Sequence, residues 1–215
     1  KNELILLKPG QIPNDRYKRG QQIRAIIESV ESSSKGLEIK LSRTSDIFLK
    51  RLFELEVPEI DDGIIEIKAI SREPGERSKV VVFSSDRRID AVGACVGMKG
   101  NRIQSIVREL NGEKIDIINW SDKPEILISR ALAPANPINL LIDEEKPYAV
   151  AIFEDEELAI AIGSNGQNIK LASDVTEYTI DVIKKSEYES NQEVPLSSIE
   201  ALSEKIIKLL SDNDI

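Results

Sequence analysis

The chain has 215 residues, 40% hydrophobic and 31% charged, with 29 basic and 38 acidic side chains and a formal net charge of −9. A single cysteine, Cys95, and no histidine exclude disulfides, thiolate-held structural zinc and histidine acid–base catalysis, and no apolar run nears the roughly 20 residues that cross a bilayer. The acidity is uneven, +4 over Lys1–Thr44, −2 over Ser45–Trp120, −8 over Ser121–Ser190 and −3 over Asn191–Ile215, so an anionic ligand is drawn to the first half.

The start, KNELILLKPG, has neither an initiator Met nor a signal-peptide layout. It reads as a piece of a longer protein from a reducing, cytoplasmic setting. NELILLK, QQIRAIIESV and GLEIKLSR read as short strands, separated by Pro9-Gly10, Gly20 and the serine-rich turn Glu31–Lys35. Three strands without a helix cannot close a core, which suggests the back part of a small β-barrel. From Ser45 the period becomes helical: SDIFLKRLFELEV puts Ile47, Leu49, Leu52, Phe53 and Leu55 on one face, with Ser45 or Asp46 as N-cap and Pro58 beyond the end. Strands over Ile64–Ser71 and Lys79–Ser84 flank a Pro-Gly hairpin. A short helix around Ile89–Val96 leads into Gly97-Met98-Lys99-Gly100. A longer helix over about Asn101–Leu110 and the strand KIDIINW follow.

The order αββααβ then recurs. KPEILISRALAP is a helix, INLLIDE and YAVAIFE are strands, and DEELAIAIG is a short helix before Gly163-Ser164-Asn165-Gly166. QNIKLASDVT is a helix and YTIDVIK the closing strand. Gly97 and Gly163, Gly100 and Gly166, and Ile103 and Ile169 are all 66 positions apart, an internal repeat. Asn191–Ile215 contains an amphipathic helix, with Ile199, Leu202, Ile206 and Leu209 or Leu210 on one side.

A glycine loop at a helix start offers unpaired amides and a partial positive charge to phosphate, with no Cβ to hold a nucleic-acid backbone away. One such loop is equally a plain helix–helix connection. Two copies at the same place in a repeated unit point to the KH mode, in which GXXG clamps about four nucleotides of single strand. Neither loop has P-loop spacing. Lys99, Arg102 and Arg108 add charge to the first loop. The second has only Lys170 nearby and follows Glu154–Glu157, so it relies on amides and on Ser164, Asn165, Gln167 and Asn168. Replacing Gly97 and Gly100 with Asp is expected to remove binding and spare the fold. In NDRYKRG, Tyr17 among Arg16, Lys18 and Arg19 is either a stacking platform or a solvated turn. Arg72, Arg77 and Lys79 read as solvated surface, Trp120 as an interface residue and Cys95 as core. The carboxylates Asp143, Glu144 and Glu145 read as a wet hairpin tip rather than a metal site.

The segments QIPNDRYKRGQQIRA, IKLSRT, LFELEVPEI, REPGERSKVVV, DAVGACVGMKGNRIQSIVREL, GEKIDIINW and ALAPA together resemble the NusA family of bacterial transcription factors, from Gln11 to about Lys185. The resemblance implies an α+β chain: Lys1–Thr44 as the second part of an OB fold of the S-one type, then type II KH modules at Ser45–Trp120 and Ser121–Ser190, then the helical segment Asn191–Ile215. It implies RNA contacts at Gly97, Met98, Lys99, Gly100, Asn101 and Arg102, and at Gly163, Ser164, Asn165, Gly166 and Gln167, beside the charged Lys170. The partners implied are single-stranded RNA (the nascent transcript) and, for the full-length protein, RNA polymerase. The function implied is control of pausing, termination and antitermination by a monomer without cofactor, metal, membrane contact or catalysis. KH modules also occur in translation and ribosome-assembly proteins, and OB and KH modules accompany a phosphorolytic ribonuclease whose catalytic core nothing here supplies.

Overall fold

A computed structural model of the chain describes residues 4–13, 15–33, 36–143 and 145–190; the helix expected within Asn191–Ile215, together with Asn14 and Glu144, lies outside the described residues. The first strands, β1 (Leu4–Ile5), β2 (Ile26–Ser33) and β3 (Gly36–Ser42), form a sheet in the order β1-β3-β2. β2 and β3 pair antiparallel, β1 and β3 parallel. β1 is shorter than its apolar run because Lys8–Gly10 winds into a 3-10 turn around Pro9, which has no N–H for a ladder. Leu4, Ile27, Val30 and Leu37 remain exposed on this sheet.

Ser45 caps helix α1 (Asp46–Glu56), its hydroxyl accepting from the Ile47 amide at 3.2 Å. Phe48, Leu49, Leu52 and Phe53 are its buried stripe. Ile47 and Leu55, expected on that face, are exposed because Phe48 turns the stripe away from them. Pro58 opens a further turn, α2 (Pro58–Asp61), where its missing N–H is harmless. Strands β4 (Ile65–Glu73) and β5 (Arg77–Ser84) form an antiparallel hairpin. After α3 (Ala91–Val96) and α4 (Asn101–Glu109), β6 (Lys114–Asn119) joins parallel to β5, giving the order β4-β5-β6. The core of this unit joins Phe48, Leu49, Leu52 and Phe53 to Val80, Val82, Cys95, Ile106 and Leu110.

The second unit repeats the plan: α5 (Pro124–Ala131), β7 (Asn139–Ile142), β8 (Tyr148–Phe153), α6 (Leu158–Ile162), α7 (Gln167–Thr176) and β9 (Thr179–Lys184), in the order β7-β8-β9. Again the first pair is antiparallel and the second parallel. A short helix, α8 (Lys185–Ser190), follows. Among the described residues no helix is long and apolar enough to cross a membrane.

The units share a core. Val81 and Ile118, on the face of the β4-β5-β6 sheet turned away from α3 and α4, cluster with Ile128, Ala131, Leu132, Ala172 and Val175 of the second unit. Trp120 packs on this cluster and meets Phe83 edge-on, ring centroids 5.1 Å apart.

Arg72, Arg77 and Lys79 do not form a solvated surface. The side chains of Arg72 and Lys79 are fully buried, and that of Arg77 is about a quarter exposed. Parallel pairing sets Lys79 opposite Asp116. The Lys79 ammonium donates to Asp116 at 3.0 Å and to the Ala133 carbonyl at 3.2 Å. Burial pulls its pKa below the ordinary lysine value, against the pull of Asp116. Arg72 forks onto Glu113 at 2.7 and 2.8 Å and also donates to the Arg43 and Ser45 carbonyls. Glu113 further accepts from Ser78 and the Gly75 amide. This network ties the hairpin to both ends of the unit. Glu113→Ala leaves the Arg72 guanidinium buried and unpaired, so urea unfolding should show a loss of about 3–5 kcal/mol. Glu66→Ala, at an exposed pair with Lys68, should stay within about 1 kcal/mol of the parent.

Candidate nucleic-acid interface

Each glycine loop joins a short helix to a longer one, α3 to α4 and α6 to α7. Their backbones match position by position. Gly97 and Gly163 both have φ 74°, with ψ 172° and 177°, a region essentially reserved for glycine. Lys99 and Asn165 have φ 52° and 53°, and Gly100 and Gly166 are left-handed at 77° and 73°. The two loops share only their glycines, yet they fold identically because the glycines impose the turn.

The paired glycines have different tasks. A Cβ on Gly97 would lie 2.7 Å from Arg102 Cγ, and one on Gly163 would lie 2.8 Å from Asn168 Cβ. A Cβ on Gly100 meets nothing closer than 3.9 Å, and on Gly166 nothing within 4 Å. The first glycine therefore seats the helix that follows, and the second turns the chain and leaves open space before it. The expectation that both Gly97 and Gly100 accept Asp without harm to the fold is thus corrected: a side chain clashes at Gly97, and at Gly100 it is strained by the left-handed φ.

The residues 66 apart after the loops brace them. Arg102 donates to the Ala94 carbonyl at 2.7 Å and to Glu59 at 2.8 Å. Asn168 is buried and donates to the Ala161 and Leu132 carbonyls, both at 3.0 Å. Asn168 is therefore not a surface hydrogen-bonding group, as expected from sequence, but a staple. Met98 is 86% exposed; Lys99, Asn101, Ser164 and Asn165 are exposed as well. No side chain caps the first turn of α4 or α7, so amide donors face the loops. In front of the first loop Gly93, Ala94, Gly97, Met98, Asn101 and Arg102 line a depression of about 320 Å³. Cys95 beneath it is fully buried, and burial pushes its thiol up to about 12, which removes it as a nucleophile.

Residues 43–120 match the NusA-like first KH domain and residues 124–190 the NusA-like second KH domain. The chain belongs to the NusA family. Relatives include "Transcription termination/antitermination protein NusA" of Halalkalibacterium halodurans, 46% identical over 97% of this chain and 54% of that protein. The NusA proteins of Bacillus subtilis and Rickettsia conorii are 45% and 42% identical, over 89% and 86% of this chain and 51% and 37% of theirs. The chain spans about half the length of the first two.

Within this NusA-family pair of KH units, Gln167 and Lys170 turn toward the first unit. Gln167 donates to Glu76 at 2.7 Å, and the Lys170 ammonium pairs with Glu73. Ser71 adds a bond to Asp174 at 2.9 Å. Among the described residues the second loop therefore keeps exposed amides, Ser164 and Asn165, while the cation next to it is neutralised. Sequence reading missed this seam, whose partners lie 91 to 103 positions apart. Gly100→Ala and Gly166→Ala carry only the left-handed cost of about 1–2 kcal/mol. Gly97→Ala and Gly163→Ala, which add a clash, should lose more in the same urea titration.

Proposed function

We propose that the described KH pair is a non-catalytic clamp for single-stranded RNA, the RNA-binding region of a cytoplasmic transcription factor. In the whole protein it would hold the nascent transcript at RNA polymerase and act on pausing, termination and antitermination. Residues 1–44 would be the end of an OB fold of the S-one type, with KH units at 45–120 and 121–190. The observation that carries the reading is the matched pair of open glycine loops, each at the start of a helix whose first turn no side chain caps. Such a start favours phosphate oxygens, and KH loops clamp about four nucleotides of single strand. The relatives, transcription termination/antitermination proteins by name, support the cellular role.

Contacts are assigned to Gly97, Met98, Lys99, Gly100 and Asn101, with Arg102 bracing the loop beside the phosphate path. In the second unit they are assigned to Gly163, Ser164, Asn165 and Gly166, while Gln167 and Lys170 hold the seam through Glu76 and Glu73. The first clamp is the stronger, because Lys99 keeps its charge in solvent.

The exposed pair between the glycines is the place to test the clamp. Met98→Asp with Lys99→Asp sets two carboxylates in the phosphate path, and Asp tolerates the left-handed φ of position 99. In a fluorescence titration this variant should lose at least about tenfold in affinity for single-stranded RNA, a difference of about 1.4 kcal/mol, at an unchanged melting temperature. Ser164→Asp with Asn165→Asp should lose less. The parent should prefer RNA to the same sequence as DNA or duplex, with a salt slope near −0.7 per phosphate contacted. Parent-like binding by the Met98, Lys99 variant would refute the clamp.

A further inference from the structure

The cationic stretch around Tyr17, which the clamp does not use, lies against the first KH unit. Asp15–Ile23 and the C-terminal end of α4 face each other across an open cleft of about 390 Å³. Its floor is Arg43, 4% exposed. The Arg43 guanidinium donates to Asp15 at 3.0 Å, to the Glu109 carboxylate and carbonyl, both at 2.8 Å, and to the Arg24 carbonyl. Arg43, together with Arg24 at 3.7 Å from Glu109, thus balances the two carboxylates in the floor. Arg16 and Arg108 bring positive charge to the walls, and Gln21 and Gln22 bring amides. Tyr17 is 38% exposed, and its hydroxyl donates to Asp15 at 2.8 Å, which holds the ring in place at the cleft. Burial, and then the Asp15 carboxylate, push its phenol up to about 12, so the ring stays neutral.

The cleft and the first clamp are the two ends of one helix. Asn101 begins α4 beside Gly100, and Arg108 and Glu109 in its last turn line the cleft. Asn101, Gln104 and Arg108 are the exposed positions between, a polar ridge about 10 Å long at 1.5 Å per residue. A strand leaving the clamp along this ridge meets an aromatic face, cations and amide donors, the combination that captures an unstacked base.

We propose that this cleft takes one unstacked nucleobase of the strand held by the Gly97–Gly100 loop, the Tyr17 ring stacking on the base and Arg16 and Arg108 flanking its phosphates. The inference rests on the clamp reading above and adds a second point of attachment. It makes affinity depend on RNA length and on one base position beyond the clamp.

Anisotropy titrations of the full chain with single-stranded RNAs of about four and about ten nucleotides test it. Tyr17→Ala should weaken the longer RNA by about 5- to 150-fold, the range for stacking on an aromatic side chain, and leave the shorter one unchanged. Tyr17→Phe, which keeps the ring but gives up its bond to Asp15, should bind the shorter RNA as the parent does and the longer one far better than Tyr17→Ala. An abasic nucleotide moved along the longer RNA should reproduce the loss at one position, with no further loss there in Tyr17→Ala. If Tyr17→Ala binds the longer RNA like the parent while the Met98, Lys99 variant does not, the cleft is no base site and the clamp stands. Equal losses on both lengths overturn the proposal too. Normal binding by the Met98, Lys99 variant removes the clamp and this inference with it.

Discussion

The helix that presents the second glycine loop also covers the first unit's sheet. Ala172 and Val175 of α7, with Ile128, Ala131 and Leu132 from α5 and its C-cap, bury Val81 and Ile118 on a sheet face that would otherwise meet water. Each of the Val, Ile and Leu side chains among them contributes about 1.5–3 kcal/mol when fully buried. Around this apolar patch run bonds that fix direction: Ser71 to Asp174, Gln167 to Glu76, Lys170 to Glu73, and Lys79 to the Ala133 carbonyl. Because Gly166 is the N-cap of α7, seating this helix also seats the second loop relative to the first. On the clamp proposal, a strand that occupies one loop would find the other already positioned, and the ordering cost of bringing two modules together would not recur on binding.

Under the clamp proposal, a chain with a net charge of −9 would hold a polyanion because its charges are placed unequally. Glu73 and Glu76 neutralise or occupy the polar groups at the start of α7, and Glu59 partly offsets Arg102. Lys99 stays in solvent between the glycines. Arg43, the most heavily bonded cation of the N-terminal seam, cements Asp15 and Glu109 together rather than contacting solvent. The positive field toward the first half thus comes from Lys99, Arg108 and the Arg16–Arg19 stretch, and a clamp at the second loop would depend on backbone amides.

The glycine loops were legible in the sequence because a Gly-only backbone leaves a fixed mark, and the repeat at 66 positions doubled it. Helix periodicity placed α1, α4 and α7 to within a few residues. The buried charges were not legible: Arg72 and Glu113, or Lys79 and Asp116, become neighbours only through the parallel β5–β6 register, which no local pattern encodes. Asn168 looks like a ligand for RNA on chemistry alone, and only its burial against the Ala161 and Leu132 carbonyls shows that it braces the loop. One signal for the shared core was present. The run KVVVF in β5 is apolar without alternation, which marks a strand covered on both faces, whereas a solitary KH sheet would leave one face wet.

A distance measured between the two loops tests this account most directly. Spin labels on Met98→Cys and Ser164→Cys occupy exposed loop positions, and the buried Cys95 stays unlabelled. Pulsed dipolar spectroscopy should give one narrow distance distribution, the same with and without single-stranded RNA. A broad or two-peaked distribution, or one that narrows only when RNA is added, would contradict the fixed pair of clamps.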